Sequence, residues 1–321
     1  MGKLNLTLAL GDYDRTLDLK TGVVRPEGVD LNILTLGPEE AFYRMGRFRE
    51  FDVSEFSFST YTIRRGRGEP LIAIPVFPSQ MFRHSAIFVS DRAGIRDPRD
   101  LRGKRVGVPK YHMTAAVWIR GILEDEYGVA PKDMLWFEGG EGARVKEVDV
   151  TLPPDIRLEP VAGDKNLGDM VAAGELDAFI GARRPAAFGK GVSRLFPDFR
   201  AAERAYYQKT AIFPIMHTVV LKEELATQHP WLPRSLYAAF AQAKQHAYRR
   251  LHDTAALLTS LPWQVAEAEE TRVLMGDDPF AYGIARNRTT IETLAGYTFR
   301  QGLAPRRLGI QDMFVESLLD T

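Results

Sequence analysis

Basic and imidazole side chains that could hold an anion and exchange a proton with it stand at two places in the sequence. Arg83 and His84 are neighbours, and His217 interrupts an apolar stretch over residues 211–221. Arginine binds a carboxylate through two parallel hydrogen bonds, and histidine exchanges protons near neutral pH. The sequence therefore indicates acid–base chemistry on an anionic ligand. A structural ion pair at Arg83 and histidines that are only hydrogen-bonded members of the core are the alternatives.

A second set of candidates lies beside predicted strand or helix ends. A helix predicted from Thr114 offers the free N–H groups and the positive dipole of its N-terminus to a carboxylate. Two arginines follow a strand predicted over residues 176–180, and another lies in the polar turn after the first strand. The predicted ligand-binding residues of this set are Arg15, Lys110, Tyr111, His112, Thr114, Arg183 and Arg184. A simple helix cap at Thr114 and solvated arginines in surface turns are the alternatives.

Glu55, Ser57 and Ser59 alternate along a strand predicted over residues 51–59, so we expect their side chains on one side of it. Strand ends at a cleft carry the groups that contact a ligand in α/β proteins. Glu55 is therefore a candidate base, and the two serines are candidate ligand contacts. A buried salt bridge is the structural alternative for Glu55.

The composition excludes several classes of site and partner. The 321 residues contain 42 basic and 42 acidic side chains and no cysteine. The charge surplus of a nucleic-acid-binding protein is missing, and disulfides, thiolate nucleophiles and cysteine-ligated metals are excluded. The six histidines show no metal-binding spacing, and no Gly-x-Ser-x-Gly motif of a serine hydrolase occurs. We therefore expect no metal, no cofactor and no nucleic-acid partner.

The distribution of apolar residues indicates where in the cell the protein is located. No apolar run approaches the roughly 20 residues that span a bilayer, and the first residues lack the apolar segment of a secretory signal. The sequence thus predicts a cytoplasmic protein without a membrane partner.

Strand-like and helix-like segments alternate along the chain, which predicts an α/β fold. Alternating leucines over residues 4–10 predict the first strand, and Pro38 with two acidic residues after it predicts a helix start. Asn166 and Gly174 are predicted to cap and to end a later helix.

This order of elements predicts two lobes around a central cleft. One lobe comprises residues 1–88 plus 214–321 and the other comprises residues 89–213, with two crossings of the chain between them. The arginine- and aromatic-containing helices near the C-terminus are a predicted interface of a homo-oligomer.

Several longer segments resemble known families. Residues 97–109 resemble the start of the second lobe of type 2 periplasmic-binding-protein folds, and residues 170–182 resemble a later helix and strand of those folds. Five more segments together are similar to the 4,5-dihydroxyphthalate decarboxylase family, and the similarity covers nearly the whole chain. These segments are EFDVSEFSFSTY (50–61), IAIPVFPSQMFRHSAIFV (72–89), MTAAVWIRGILEDEYGV (113–129), RLFPDFRAAERAYYQKTAIFPIMHTVV (194–220) and NRTTIETLAGYTFRQGLAPRRL (287–308).

The resemblance implies a cytoplasmic enzyme that removes one carboxylate from 4,5-dihydroxyphthalate and yields protocatechuate and carbon dioxide. Each carboxylate of this substrate is para to a ring hydroxyl. A base for the hydroxyl, an acid for the ring carbon and cations for the carboxylates are therefore sufficient, without an electron-sink cofactor. On this interpretation His217 is the acid or base, with His84 as its partner across the cleft. Glu55 is then a base for the phenol, and Arg83 binds a carboxylate.

The segment VPKYHMTA, residues 108–115, departs from the pattern that the resemblance leads us to expect. Lys110 and His112 stand where an acidic and an amide residue are expected, so a different aromatic acid is an alternative substrate. Two other functions remain as alternatives. One is a non-catalytic solute-binding protein for an aromatic or heterocyclic acid, and the other is a different lyase on this scaffold, such as one of the chorismate-derived steps of the alternative menaquinone route.

Overall fold

The computed structural model describes residues 2–140 and 148–321, which fold into two β-sheets with helices around them. In this part of the chain the strands are β1 (Leu4–Leu10), β2 (Val29–Thr35), β3 (Val53–Ser57), β4 (Leu71–Gln80), β5 (Ile87–Ser90), β6 (Arg105–Val108), β7 (Leu135–Gly139), β8 (Arg157–Val161), β9 (Ala178–Ile180), β10 (Val192–Arg194) and β11 (Ile215–Lys222). The helices are α1 (Leu17–Lys20), α2 (Pro38–Phe48), α3 (Phe58–Gly66), α4 (Thr114–Tyr127), α5 (Leu167–Ala173), α6 (Phe199–Thr210), α7 (Glu223–Gln228), α8 (Leu232–Leu251), α9 (Gln264–Met275), α10 (Arg288–Arg300) and α11 (Ile310–Met313). None of these helices is both long enough and apolar enough to cross a membrane.

The first sheet has the strand order β2-β1-β3-β11-β4. Strands β1, β2 and β3 run parallel, and β11 lies antiparallel between β3 and β4. All of β3 and nearly all of β4 is buried, as is typical of strands with both faces covered. Because β1, β3 and β4 point the same way, their carboxyl ends meet at one edge of the sheet, where ligand sites of α/β proteins lie.

The second sheet has the strand order β10-β5-β9-β6-β7-β8. Strands β6, β7, β8 and β9 run parallel, and β5 is antiparallel to β9 and β10. The chain passes from the first sheet to the second between β4 and β5, and it returns between β10 and β11. The predicted α/β fold with two crossings is confirmed.

Local sequence signals for the helix ends are also confirmed. Pro38 begins α2, and two acidic residues follow in its first turn. Asn166 caps α5 by accepting hydrogen bonds from two backbone N–H groups, and Gly174 ends it with a φ of 82°. This left-handed conformation strains most residues but not glycine, which is why the sequence locates the end of α5.

The strand predicted over residues 51–59 is shorter in the structure. β3 ends at Ser57 and α3 begins at Phe58, so Ser59 lies in the first turn of a helix. Its hydroxyl donates a hydrogen bond to the backbone carbonyl of His112. The prediction was wrong here because apolar and polar residues keep alternating across the boundary between strand and helix, so periodicity alone does not locate it.

Helix α4 packs against strand β11 of the first sheet and against α10. Trp118 donates a hydrogen bond from Nε1 to the backbone carbonyl of Ile215 at 2.9 Å, and the Tyr297 ring of α10 lies edge-on to the indole at 5.4 Å. Gly121, one turn further along α4, faces the same tyrosine, and a Cβ there would overlap the ring. The close approach of α4 and α10 therefore requires glycine at this position.

We expect Gly121→Ala to lower the free energy of unfolding by about 1–3 kcal/mol, the usual cost of an overpacked core. Gly296→Ala is the matched control, because it lies on α10 and a Cβ there meets no atom within 4 Å. The control should be neutral or should stabilise by up to about 1 kcal/mol, since alanine is the better helix former. Urea unfolding measures both, and equal effects of the two variants would contradict the packing described for α4 and α10.

Candidate active site

A cavity of about 750 Å³ lies between the two sheets. Its wall is built at the carboxyl ends of β3, β6, β7 and β9, at the start of β11, and at the first turns of α2, α4 and α5. The volume suits a small organic ligand. The predicted site residues on this wall are Ser57, Arg83, Lys110, Thr114, Arg183, Arg184 and His217.

Glu55 and His217 form a hydrogen-bonded pair at the cavity. In the antiparallel ladder His217 lies opposite Ser57, and Glu55 lies opposite Val219, so Glu55 and His217 are diagonal neighbours on one face of the sheet, within reach of long side chains. The His217 Nδ1 and a Glu55 carboxylate oxygen are 2.5 Å apart. Glu55 is 1% exposed, whereas the His217 side chain is 16% exposed and lines the cavity. Glu55 therefore lies behind the histidine, which is the member of the pair that a ligand can reach.

The Glu55 carboxylate accepts two further hydrogen bonds. The Gly11 backbone N–H donates at 2.7 Å and the Tyr13 hydroxyl donates at 2.6 Å. Burial by itself would raise the pKa of Glu55, but the hydrogen bonds from His217, Tyr13 and Gly11 outweigh it and hold this pKa below its ordinary value. An ionised carboxylate only accepts hydrogen bonds, so the His217 Nδ1 carries a proton and Nε2 is the ring nitrogen available to a ligand.

The backbone and a neighbouring ring fix the direction of the imidazole. The ladder between β11 and β4 shifts its register on both sides of His217, and such irregularities re-aim a side chain near active sites. The Phe42 ring of α2 packs edge-on against the imidazole, with 4.8 Å between ring centroids. The histidine is therefore held on two sides before any ligand arrives.

Arg83 supplies a buried positive charge on the cavity wall. It is 5% exposed, its Nε donates to the Met216 sulfur at 3.0 Å, and its Nη1 has no hydrogen-bond partner among the described residues. Burial lowers the pKa of Arg83 to about 10, although the Glu203 carboxylate partly opposes this, so the group stays charged at neutral pH. The unmet Nη1 is itself buried, but other parts of Arg83 line the cavity, and a guanidinium on a cavity wall is suited to bind a carboxylate.

A cluster of hydroxyl groups joins β3 to the start of α4. The hydroxyls of Ser57 and Thr114 are 2.9 Å apart, and Thr60 donates to Ser57 at 3.0 Å. The Ser59 hydroxyl lies 3.0 Å from that of Thr114 and points to a backbone carbonyl instead of the cavity. Of the two predicted serine contacts, the structure therefore brings Ser57 to the wall and leaves Ser59 behind it.

The mouth of the cavity carries exposed charged residues from both sheets. Arg183, after β9, forms two hydrogen bonds of 2.6 and 3.1 Å with Glu39 of α2. Burial by itself would raise the pKa of Glu39. The hydrogen bonds from Arg183 and the nearby charge of Lys110 outweigh burial and hold this pKa below its ordinary value. The Arg184 guanidinium lies 5.3 Å from the centre of the Phe188 ring. These cations lie where an incoming anion would first meet the protein.

Three other predicted binding residues do not line the cavity. The Arg15 guanidinium lies 4.0 Å from the centre of the Phe280 ring and donates to the backbone carbonyl of Pro78. Tyr111 is fully buried under the guanidinium of Arg120. His112 is buried as well. Sequence spacing placed them near the ends of the correct elements, but tertiary packing turns their side chains inward.

His84 also faces away from the cavity, so the predicted pair of His84 and His217 across the cleft is not formed. Its ring packs against Phe196 and Tyr206, with centroids 5.2 and 5.3 Å away. Burial lowers the pKa of His84 to about 4, so the ring is neutral in the folded protein at neutral pH. Arg83 and His84 are adjacent, and the 3₁₀ turn that begins at His84 sends their side chains in different directions.

Sequence reasoning missed Gly11 and Tyr13 as partners of Glu55, and Phe42 and Met216 as residues that hold the site. The turn at residues 11–13 follows β1, which pairs in parallel with β3, so the rule that parallel strand ends converge could have linked it to Glu55. Nothing local in the sequence indicates the other two. Within residues 2–140 and 148–321, no three His, Asp or Glu side chains are arranged to hold a metal ion.

Two named enzymes are similar to this chain in sequence. A 4,5-dihydroxyphthalate decarboxylase from Comamonas testosteroni is 39% identical over 327 aligned positions, which cover 100% of this chain and 99% of that protein. A 4,5-dihydroxyphthalate decarboxylase from Pseudomonas putida is 41% identical over 214 positions, covering 65% of this chain and 83% of that protein. No protein-family model matches the chain.

Two solved structures with a similar fold are of sulfonate-binding proteins. The alkanesulfonate-binding protein SsuA from Xanthomonas axonopodis pv. citri, bound to MOPS, superposes with a TM-score of 0.54 at 12% identity, over 96% of each chain. The periplasmic aliphatic sulphonate binding protein SsuA from Escherichia coli gives the same TM-score and identity over 100% of both chains. At this identity the likeness establishes the two-lobe binding-protein-like fold and nothing about the ligand.

The buried neutral state of His84 predicts a pH-dependent stability. Between pH 6.5 and about 4 the unfolded chain binds a proton at His84 that the folded protein does not bind, so stability falls as the pH falls through this window. The free energy of unfolding decreases between pH 7 and pH 4, and we expect His84→Phe to make this decrease smaller by roughly 2–4 kcal/mol. Urea unfolding at pH 7 and at pH 4 measures it, and His252→Phe, at an exposed histidine, is the control. If the stability of His84→Phe decreased with falling pH as steeply as that of the wild-type protein, the burial of a neutral His84 ring would be contradicted.

Proposed function

The chain belongs to the 4,5-dihydroxyphthalate decarboxylase family, and from this premise we propose that it removes one carboxylate from 4,5-dihydroxyphthalate to give protocatechuate and carbon dioxide. The observation that carries the proposal is the Glu55–His217 pair, whose histidine lies on the wall of a cavity that Arg83 also lines. A proton-transfer group and a carboxylate-binding cation are the two parts that this reaction needs.

The first step is removal of a phenolic proton. The neutral His217 Nε2 accepts the proton of the ring hydroxyl that is para to the departing carboxylate. The electron pair of the O–H bond moves into the ring and raises the electron density at the carbon that bears this carboxylate. Glu55 stabilises the imidazolium that forms, because its carboxylate already accepts the Nδ1 hydrogen.

The second step is protonation of that carbon, followed by loss of carbon dioxide. The His217 imidazolium returns its proton from Nε2 to the ring carbon, which gives a dienone that still carries the carboxylate. The bond between the ring and the carboxylate then breaks, its electron pair restores the aromatic ring as a phenolate, and a proton from solvent converts the phenolate to the phenol. One proton is consumed in each turnover, and no oxidant or reductant is involved.

The two carboxylates of the substrate need cationic partners. We assign one of them to Arg83, whose planar guanidinium can bind it through two hydrogen bonds. The other lies toward Lys110 and the first turn of α4, where Thr114 and Ala115 line the cavity and the backbone N–H groups carry no side-chain cap. Lys110 in this place is consistent with a dianionic substrate, because it adds positive charge to the wall.

The catalytic cycle also requires access to the cavity. We propose that residues 1–88 plus 214–321 and residues 89–213 act as lobes that close over the substrate. The bond between Glu39 and Arg183 joins these parts at the mouth. Closure would remove water and strengthen the remaining electrostatic contacts.

We also propose that the enzyme acts in the cytoplasm and that its C-terminal helices form a homo-oligomer interface. Cell fractionation tests the first proposal, and light scattering of the purified protein tests the second.

We expect His217→Asn to lower kcat by about 10²–10⁴-fold, because it removes the proton-transfer group, while 4,5-dihydroxyphthalate still binds. Carbon dioxide release measures turnover, and isothermal titration calorimetry measures binding. His246→Asn is the matched control, since His246 pairs with Asp18 at 2.5 Å in the same way but does not line the cavity. It should leave kcat unchanged.

Two results would count against the proposal. Wild-type protein that binds the diacid without any turnover would be a solute-binding protein. Full turnover in His217→Asn would mean that another group transfers the proton.

We expect Arg83→Gln to raise KM by about 10- to 100-fold, since it removes a charged hydrogen-bond donor to a carboxylate. Arg83→Lys should recover part of the loss, because lysine keeps the charge but not the two-pronged geometry. Arg234→Gln, at an exposed arginine paired with Asp320, is the control. Steady-state kinetics measure all three variants, and an unchanged KM in Arg83→Gln would exclude Arg83 as a carboxylate ligand.

A further inference from the structure

We infer that Tyr13 is a positioning residue, which sets the basicity of His217 through the carboxylate of Glu55. The kinetic part of this inference rests on the proposed function, whereas the structural part depends only on the network of hydrogen bonds.

Tyr13 and His217 share one oxygen of Glu55. The tyrosine hydroxyl lies 2.6 Å from Oε1 and the histidine Nδ1 lies 2.5 Å from the same atom. The hydroxyl and Nδ1 are 3.5 Å apart, so both groups approach Oε1 from the same side. Because the Gly11 N–H occupies the other oxygen at 2.7 Å, the negative charge of Glu55 is divided among three donors. Its hold on His217 is therefore weaker than that of an otherwise unbonded carboxylate.

Toward Glu55 the Tyr13 hydroxyl can only donate. Burial and the adjacent Glu55 charge raise the pKa of Tyr13 well above its ordinary value, so the hydroxyl keeps its proton at every pH at which the enzyme would work. The carboxylate cannot donate to it. The Tyr13 hydroxyl therefore donates to Glu55 throughout this pH range, and its hydrogen bond reduces the negative charge that Glu55 presents to His217.

The loop that carries Tyr13 is held from its outer side. The Arg15 guanidinium lies 5.3 Å from the Tyr13 ring centre and 4.0 Å from that of Phe280. It also donates to the backbone carbonyl of Pro78 at 2.8 Å. Arg15, which the sequence suggested as a substrate ligand, is therefore assigned to fixing this loop, and its stacking on the tyrosine supports the position of the hydroxyl.

The charged and titratable groups around His217 come from several elements. Glu55 comes from β3, Tyr13 and Arg15 come from the loop after β1, and Arg83 follows β4. From α2, the apolar Phe42 packs on the ring, and Glu39 of that helix is already paired with Arg183. Of these groups, Tyr13 and Gly11 are the ones that share Glu55 with the histidine, and the tyrosine can be changed without altering the backbone.

Tyr13→Phe tests the inference. Without the hydroxyl, Glu55 bears more negative charge on Oε1 and stabilises the His217 imidazolium more strongly. We expect the midpoint of the acidic limb of the kcat/KM profile, where His217 must be neutral, to move up by about half a pH unit. We expect kcat at the plateau to fall by up to about threefold, because the more strongly stabilised imidazolium returns its proton to carbon less readily.

Tyr297→Phe is the matched control, because the Tyr297 hydroxyl donates to Asp125 at 2.8 Å in the same way but belongs to α10 and does not line the cavity. It removes one hydrogen bond between a tyrosine and a carboxylate and should leave the pH profile in place. A shift of the same size in both variants, or no shift in Tyr13→Phe, would overturn the inference.

A measurement without substrate separates this inference from the proposed function. NMR titration of the His217 imidazole in ligand-free protein should show its midpoint raised in Tyr13→Phe and unchanged in Tyr297→Phe. If wild-type protein has no decarboxylase activity but this shift occurs, the proposed function fails and the positioning role stands. If the enzyme is active and the midpoint does not move, the positioning role fails.

Discussion

The site depends on keeping one carboxylate ionised inside a β-sheet. Removing Glu55 from water is unfavourable for its charged form, and the structure offsets this with three donors from two separate parts of the chain: a backbone N–H and a phenol after β1, and an imidazole on β11. Each donor is in place only because β1, β3 and β11 are neighbours in the stated register. The same bonds that stabilise the charge also decide which nitrogen of His217 faces the cavity, so the stability of the sheet and the chemistry of the site have one origin.

Much of the fold could be predicted from local patterns, whereas the site could be predicted only in part. The alternation in β1, the proline at the start of α2 and the asparagine and glycine at the ends of α5 are local signals, and the structure follows them. The side-chain directions of His84 and Ser59 depend on packing against residues distant in sequence, such as Phe196 and His112. Spacing alone cannot supply that information. The clearest case is Tyr13, whose partner lies 42 positions away.

The fold and the chemistry of this protein are separable. Sulfonate-binding proteins with 12% identity have the same two-lobe arrangement, so the fold by itself does not specify the chemistry. In this chain the cleft is lined by a histidine that is hydrogen-bonded to a buried acid and by an arginine. Binding of an aromatic acid requires only a positively charged side chain such as Arg83. Chemical conversion of that acid also requires a proton donor and acceptor whose orientation is already fixed.

The position of β11 has a consequence for how the chain folds as it is synthesised. β3 and β4 belong to the first 80 residues, yet they are not hydrogen-bonded to each other, because residues 215–222 lie between them. The edges of both strands stay unpaired until more than a hundred further residues have left the ribosome, a long-range contact of the kind that slows folding. Exposed strand edges invite pairing with other chains. The strand that brings the histidine to the cleft is thus also the one that covers the facing edges of β3 and β4.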